Sequence, residues 1–502
     1  MKMRTTRKTC SAMLALLLLG GALASCGESA VESGNPTETN ASPVTEAAPE
    51  TEEGNIRAGI KDTLPDNLDF GGKTFTIFYA NDTAQGDYIE GPEEQTGDIV
   101  DDAILACTQA VEERLNVDVQ FNHDDTAAWN TVTGIVQKQI MAGDSTNDVF
   151  YGQQYGMAQL VLKGGFVNVN DLEYIDFTQP WWNNSYMNEM SIGNEKRYFL
   201  SGDYTLSVVK SPHVLFFNKD MYVRYFDSVD ELYDEVLSGK WTIDHLSDIS
   251  RAAFVDLNND GKSTEVDQLG YLTYKAAAST DPFAYSAGIQ YVTRDADGSV
   301  TIDMKQERAV KLTEKVVAFF NQEGSNWDNE ASTGTLFMNG TCMFLGINQL
   351  GSSKNFRDMK EDFGFLPYPK LDEAQDRYYA LLPDIVLTGI VSTASERLDI
   401  AGAVLEALYA ETYRSVTPIW YETALKVKYA RDDISSQIID LVHDSATTSF
   451  LYAYSPCLNN MGVYMRELCA GNNTNYMSKI EKSEKSMLKS FEKLAAAYEA
   501  LD

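Results

Sequence analysis

Two spacings of apolar residues alternate along the first third of the folded chain. Lys73-Thr74-Phe75-Thr76-Ile77-Phe78-Tyr79 is β-rich and entered through Gly71-Gly72, which predicts a strand. Val100, Ile104, Cys107, Val111 and Leu115 follow at the three-and-four spacing of one helix face. Val117, Val119 and Phe121 alternate as a second strand. Ile135, Ile140 and Met141 belong to a helix that ends at Gly143, and Asp148-Val149-Phe150-Tyr151 is a third strand. This order predicts an α/β fold with a parallel or mixed sheet covered by helices on both faces. In open α/β sheets ligands sit beyond the carboxyl ends of the strands. That rule nominates Tyr79, Ala80 and Asn81 after the first strand and Gly152, Gln153 and Gln154 after the third. Further on the pattern turns more helical, and Ile480, Met487, Phe491, Leu494, Tyr498 and Leu501 mark a long amphipathic helix at the end.

Ahead of this folded part lie two segments of different character. Lys2, Arg4, Arg7 and Lys8 precede an apolar run from Met13 to Leu19, the layout of an export signal over residues 1–25. The run is shorter than the roughly 20 residues a permanent transmembrane helix needs. It closes on Leu23-Ala24-Ser25-Cys26, which resembles the lipobox of bacterial lipoproteins. The resemblance implies cleavage before Cys26 and a lipid on its sulfur, hence a cell-membrane protein anchored on the outer side. Residues 26–68 are rich in Glu, Thr, Ser and Pro and almost free of large apolar residues, so they should form a solvated tether.

Composition removes several functions. Asp and Glu number 74 against 40 Lys and Arg, a net charge of −34, which argues against nucleic acid or anionic lipid head groups as partners. Histidines are only four, His123, His213, His245 and His443, and they are too widely spaced to suggest a triad or a zinc site. No Gly-x-Ser-x-Gly elbow, His-Glu-x-x-His motif or phosphate-binding Gly-Lys-Ser/Thr loop occurs. Cys107, Cys342, Cys457 and Cys469 are too few for a disulfide scaffold; Cys457 and Cys469 either pair or stay as buried thiols.

Four stretches, in order, resemble the extracellular solute-binding proteins of ABC importers, in the carbohydrate-binding class that is maltose-binding-protein-like. Val214 to Tyr222 contains Phe217-Asn218-Lys219-Asp220, similar to the family's crossover strand and helix start. Trp241-Thr242 to Leu246 is similar to its Thr-Trp helix opening, with the aromatic placed first. Leu336 to Met343 is similar to a Phe-x-x-Gly-x-x-x-Met segment, one residue shorter between Gly340 and Met343 and with Cys342 where Ala is usual, and Gly364 to Pro369 is similar to a Gly-x-x-Pro-x-Pro strand. The resemblance implies two α/β lobes of discontinuous segments joined by a hinge, the periplasmic-binding-protein-like II fold. Lobe 1 would comprise residues 69–213 with about 380–413, and lobe 2 about 214–379 with 414–502. It also implies a monomer that captures a neutral mono- or oligosaccharide between the lobes and delivers it to ABC permease subunits without chemistry of its own.

Sugar rings are held by aromatic faces and by carboxylates, amides and hydroxyls. Pro180-Trp181-Trp182-Asn183-Asn184 therefore nominates Trp181 and Trp182, and position in the pattern adds Asp203, Tyr204, Trp420 and Tyr421. Gln349 falls, by the family resemblance, where the maltose-binding branch has a stacking aromatic. Asp256, Asn258, Asp260, Lys262 (through its carbonyl), Thr264 and Asp267 follow the oxygen spacing of a calcium loop around Gly261. The same residues also suit a metal-free Asp/Asn turn. Calcium, in a structural role, is the one cofactor the sequence suggests. Three rival functions remain: an exported carbohydrate-active enzyme, a surface glycan-binding lipoprotein, and a peptide-binding importer subunit.

Overall fold

The computed structural model describes residues 56–80, 89–124, 129–193, 195–274, 277–329, 333–426 and 433–501. Cys26 and Asn81 lie outside them. The first sheet is built from β1 (Lys73–Ala80), β2 (Val117–Asp124) and β3 (Val149–Gln153), all parallel, with β12 (Leu387–Val391) antiparallel beside β3. The inner strand β3 is buried along its whole length, and so is β12 at one edge, which Leu200 covers by a bridge to Gly389, whereas the other edge strand β2 starts with alternating buried and exposed residues. Covered sheets need continuous apolar runs and edge strands do not.

The helix Ile99–Leu115 returns the chain from β1 to β2. Its first amides are capped by Asp98, whose carboxylate accepts from the N–H of Val100 and Asp101, and it stops at Asn116 in the left-handed conformation. It buries Val100, Ile104, Cys107, Val111 and Leu115, the stripe read from the sequence. The later helix Leu398–Glu411 packs on it.

A second sheet has the order β10-β4-β9-β5-β8, formed by β4 (His213–Asn218), β5 (Leu269–Tyr274), β8 (Ser325–Asn329), β9 (Cys342–Gln349) and β10 (Phe363–Pro367). β4 and β10 are wholly buried. Two small pairings complete the set: the hairpin β6 (Val292–Arg294) with β7 (Val300–Ile302), and β11 (Ala380–Leu381) with β13 (Ala446–Thr447). The chain passes from the first sheet to the second between Gln153 and His213, and returns between Pro367 and Leu387. The closing helix Tyr476–Glu499 buries Ile480, Met487, Leu494 and Tyr498. Among the described residues no helix is long and apolar enough to cross a membrane. All four cysteines of the described part are free, so Cys457 and Cys469 do not pair.

Residues just ahead of β1 are fastened to the helix Ile99–Leu115 and to the segment that follows the helix Leu398–Glu411. Asp62 receives Arg114 through both guanidinium nitrogens, at 2.7 and 2.8 Å, and Arg414 at 3.0 Å. Burial opposes its charge, yet the two guanidiniums outweigh burial and hold the carboxyl down at about 2. A carboxyl depressed in the folded state contributes stability above its unfolded value and loses it as pH falls toward the folded one. Asp62→Asn should therefore lower unfolding free energy by about 2 kcal/mol at pH 7, the scale of hydrogen bonds to charged groups. In urea titrations the gap between the two proteins should close as pH is taken from about 4 to about 2.

Candidate functional site

The carboxyl ends of β5 and β9 lie at the same end of the second sheet as the start of β4 and the end of β10. Beyond β5, a turn at Ala277–Thr280 leads into the helix Asp281–Ser286, with Pro282 pre-set for its first turn. Asp281 is 1% exposed. Arg466, on the helix Tyr464–Ala470, donates Nε to both Asp281 oxygens at 2.9 and 3.1 Å and Nη2 to Oδ2. The same Nη2 lies 3.8 Å from the carboxylate of Asp384, between β11 and β12. Asp384 is itself pinned through its backbone: its N–H donates to the Tyr452 hydroxyl at 3.2 Å and its carbonyl accepts from the Tyr155 N–H at 2.9 Å. Burial pushes the Asp281 carboxyl up to about 6 against the pull of Arg466, and burial raises Asp384 as well.

Several polar side chains flank these contacts in the chain and are buried without a hydrogen-bond partner among the described residues. Gln154 has neither end of its amide satisfied, and the hydroxyls of Thr280 and Ser455 are also unpaired. Buried polar groups left unpaired cost about 1–3 kcal/mol each, and these lie within three residues in the chain of Tyr155, Asp281 and Tyr452, which hold or border the Arg466 contacts.

The candidates from the sequence fall into two groups. Gln153 and Gln349 end β3 and β9, and Tyr79 is next to last in β1: the Tyr79 hydroxyl donates to Glu90 at 2.7 Å, Gln153 is buried, and Gln349 faces His213 across β9 and β4. Trp181, Trp182, Asp203, Tyr204, Trp420 and Tyr421 gather instead in a buried cluster against the helix Leu398–Glu411 and the segment that follows it. Trp182 stacks on Tyr409 at 4.0 Å, and Tyr204 lies 5.5 Å from the same ring. Both indole N–H groups donate to Glu406, Trp181 at 3.1 Å and Trp182 at 2.9 Å. Gly202 lets the two chains approach, since a Cβ there would meet the Trp181 carbonyl oxygen at 2.1 Å. The Trp pair is thus held in the core, with only an edge of Trp182 reaching a small pocket beside Asp203 and His443.

Asp203 accepts from the Thr417 hydroxyl at 2.8 Å and lies 3.8 Å from both Arg57 and His443. Burial opposes charge on His443, but the carboxylates of Asp203 and Asp444 raise it to about 9, so it is a cation at neutral pH. Trp420 and Tyr421 pack edge to face at 5.6 Å, and the Arg57 guanidinium covers the Tyr421 ring at 5.4 Å.

No sequence motif singles out Asp281, Asp384, Tyr452 or Arg466, whereas the strand-end rule does reach Gln154 just past β3. The same rule applied to β5 leads to Asp281. Arg466 carries only a weak signal, a cation among Tyr464, Met465, Leu468 and Cys469, all buried.

In the loop Asp256–Asp267, Asp256 accepts from the N–H of Asp260 and Gly261, Asp260 from Lys262, and Asp267 from Leu257 and Thr264. Gly261 takes the left-handed turn at φ 72°. No group of three His, Cys, Asp or Glu side chains converges as a metal site among the described residues.

The family described as bacterial extracellular solute-binding protein matches residues 104–414, and the chain belongs to that family. Solved structures share the fold. A cyclo/maltodextrin-binding protein complexed with maltotetraose aligns with a TM-score of 0.55 at 14% identity, covering 83% of this chain and 97% of that one. The galacto-N-biose-/lacto-N-biose I-binding protein of the ABC transporter from Bifidobacterium longum gives 0.53 at 12% identity, covering 84% and 98%. The cyclic alpha-maltosyl-1,6-maltose binding protein from Arthrobacter globiformis gives 0.53 at 14%, covering 85% and 99%. No curated protein is similar to the chain at a significant level.

Glu406 makes the Trp pair testable. Burial pushes its carboxyl up to about 7, against the N–H groups of Trp182, Asp176 and Trp181 that favour the charged form. The folded protein therefore keeps a proton that the unfolded chain releases near 4.5, and stability should fall as pH rises between those values. Glu406→Gln removes that slope. It also turns an amide N–H₂ toward one indole, which should cost about 1–3 kcal/mol at pH 5 in urea unfolding.

Proposed function

We propose that this chain is the sugar-binding subunit of an ABC importer, holding a neutral mono- or oligosaccharide at the Arg466 junction between its two lobes. The observation that carries the reading is the buried polar junction itself. Arg466 is already neutralised by Asp281 and approached by Asp384, so the site offers no spare cation to an anionic guest. What it does offer is a set of carboxylate, amide and hydroxyl groups with unused hydrogen-bonding capacity, the chemistry that matches sugar hydroxyls. Sugars bound by the structures of similar fold support the same class of ligand.

Groups from both lobes must come together to complete this site, so binding energy favours a closed state that a permease can recognise. The leader and Cys26 support a lipid-anchored protein on the outer face of the membrane. Small-angle scattering should show compaction when the right sugar is added, and prolonged incubation should release no product; new reducing ends would remove the receptor reading. Arg466→Ala should weaken sugar binding by at least about tenfold, the loss of one charged hydrogen-bonding group, measured by calorimetry. Unchanged affinity would place the sugar elsewhere.

The loop Asp256–Asp267 is proposed to hold calcium through Asp256, Asn258, Asp260, the Lys262 carbonyl, Thr264 and Asp267. Their carboxylates keep spare lone pairs beyond the backbone N–H groups they accept. Calcium should then raise the melting temperature by mass action, and a chelator should reverse the rise without changing sugar affinity more than about twofold. A melting curve indifferent to calcium would leave the loop as a metal-free turn.

A further inference from the structure

A separate pocket of ≈ 330 Å³ opens at the outer edge of the second sheet, where β8 begins. Trp327, Asn321, Asn326 and Ser325 line it, together with Gly261 and Ser263 of the Asp256–Asp267 loop. It shares no lining residue with the junction, which lies past the opposite end of β5.

Three observations give this pocket a chemistry. The half-buried Trp327 ring is braced edge to face against Phe320, with centroids 5.3 Å apart at 87°, and a small part of it reaches the otherwise polar wall of the pocket. Ser325 is only 7% exposed and its hydroxyl finds no partner among the described residues. The wall is also tied to the loop, since the Gly324 N–H donates to the Ser263 hydroxyl and the Asn326 amide to the Ser263 carbonyl, both at 2.8 Å. The described lining contains no Lys or Arg and includes Glu323, which disfavours an anion. A mainly polar wall of amides and an unpaired hydroxyl, with one aromatic edge beside it, suits the hydroxyl rim of one sugar ring.

We propose that this pocket is a second carbohydrate site that takes a single neutral sugar residue, such as the end of a glycan, independently of the junction. The test uses the full mature chain with glucose, galactose, N-acetylglucosamine, maltotriose and lacto-N-biose as probes, followed by tryptophan fluorescence and calorimetry. At least one probe should give a fluorescence change with a dissociation constant on the order of 1 mM. Trp327→Ala should abolish that event. Ser325→Ala should weaken it by about threefold or more at unchanged melting temperature, and it decides the matter should Trp327→Ala not fold. Arg466→Ala should leave the weak event intact, which separates this site from the junction. If no probe gives a Trp327-dependent event, or if Ser325→Ala binds as wild type does, the second site does not exist.

Discussion

Arg466 is a charge that the fold must neutralise. Removing a guanidinium from water costs several kcal/mol unless a partner answers it in good geometry, and Asp281 answers it with both oxygens while Asp384 stands nearby. That requirement ties together a helix near the carboxyl end of the chain, the turn after β5 and the segment between β11 and β12. Neither sheet closes this junction alone. The early strands supply the platform, and the late helix supplies the cation that fixes how the two strand ends meet.

The same pair is poorly disposed to serve as a hydrolase's acid. A glycoside hydrolase needs two carboxyls about 5–9 Å apart, one free to give a proton and the other free to attack or to activate water. Asp281 is raised to about 6, which in isolation would suit an acid, but both of its oxygens are engaged by Arg466. A carboxylate locked to a guanidinium is a fixed acceptor. Fixed acceptors suit recognition, where the ligand alone supplies the movable hydrogens.

Much of the fold was legible because its physics is local. The helix Ile99–Leu115 follows from a stripe that must be buried and from Asp98 at its start, and β1 to β3 follow from β-rich runs bounded by glycine and polar turns. The site was legible only in part. Tyr79 and Gln153 lie at or next to the ends of their strands, as a one-dimensional rule can say, but the Arg466–Asp281 pair joins residues 185 positions apart, and no periodicity encodes that meeting. Trp181 and Trp182 misled for a related reason. A Trp-Trp-Asn-Asn run looks like a sugar platform until Glu406, more than 220 residues away, takes both indole N–H groups inward. An isolated run does not reveal which distant acceptor will claim its donors.

Asp62 also joins two distant stretches of the chain, because Arg114 and Arg414 meet on one carboxylate. Arg57, a few residues earlier, is held against Asp203 and the Tyr421 ring. A pull from the amino side therefore meets Arg57 first and Asp62 next, and it spreads into several elements at once instead of peeling β1 from its sheet.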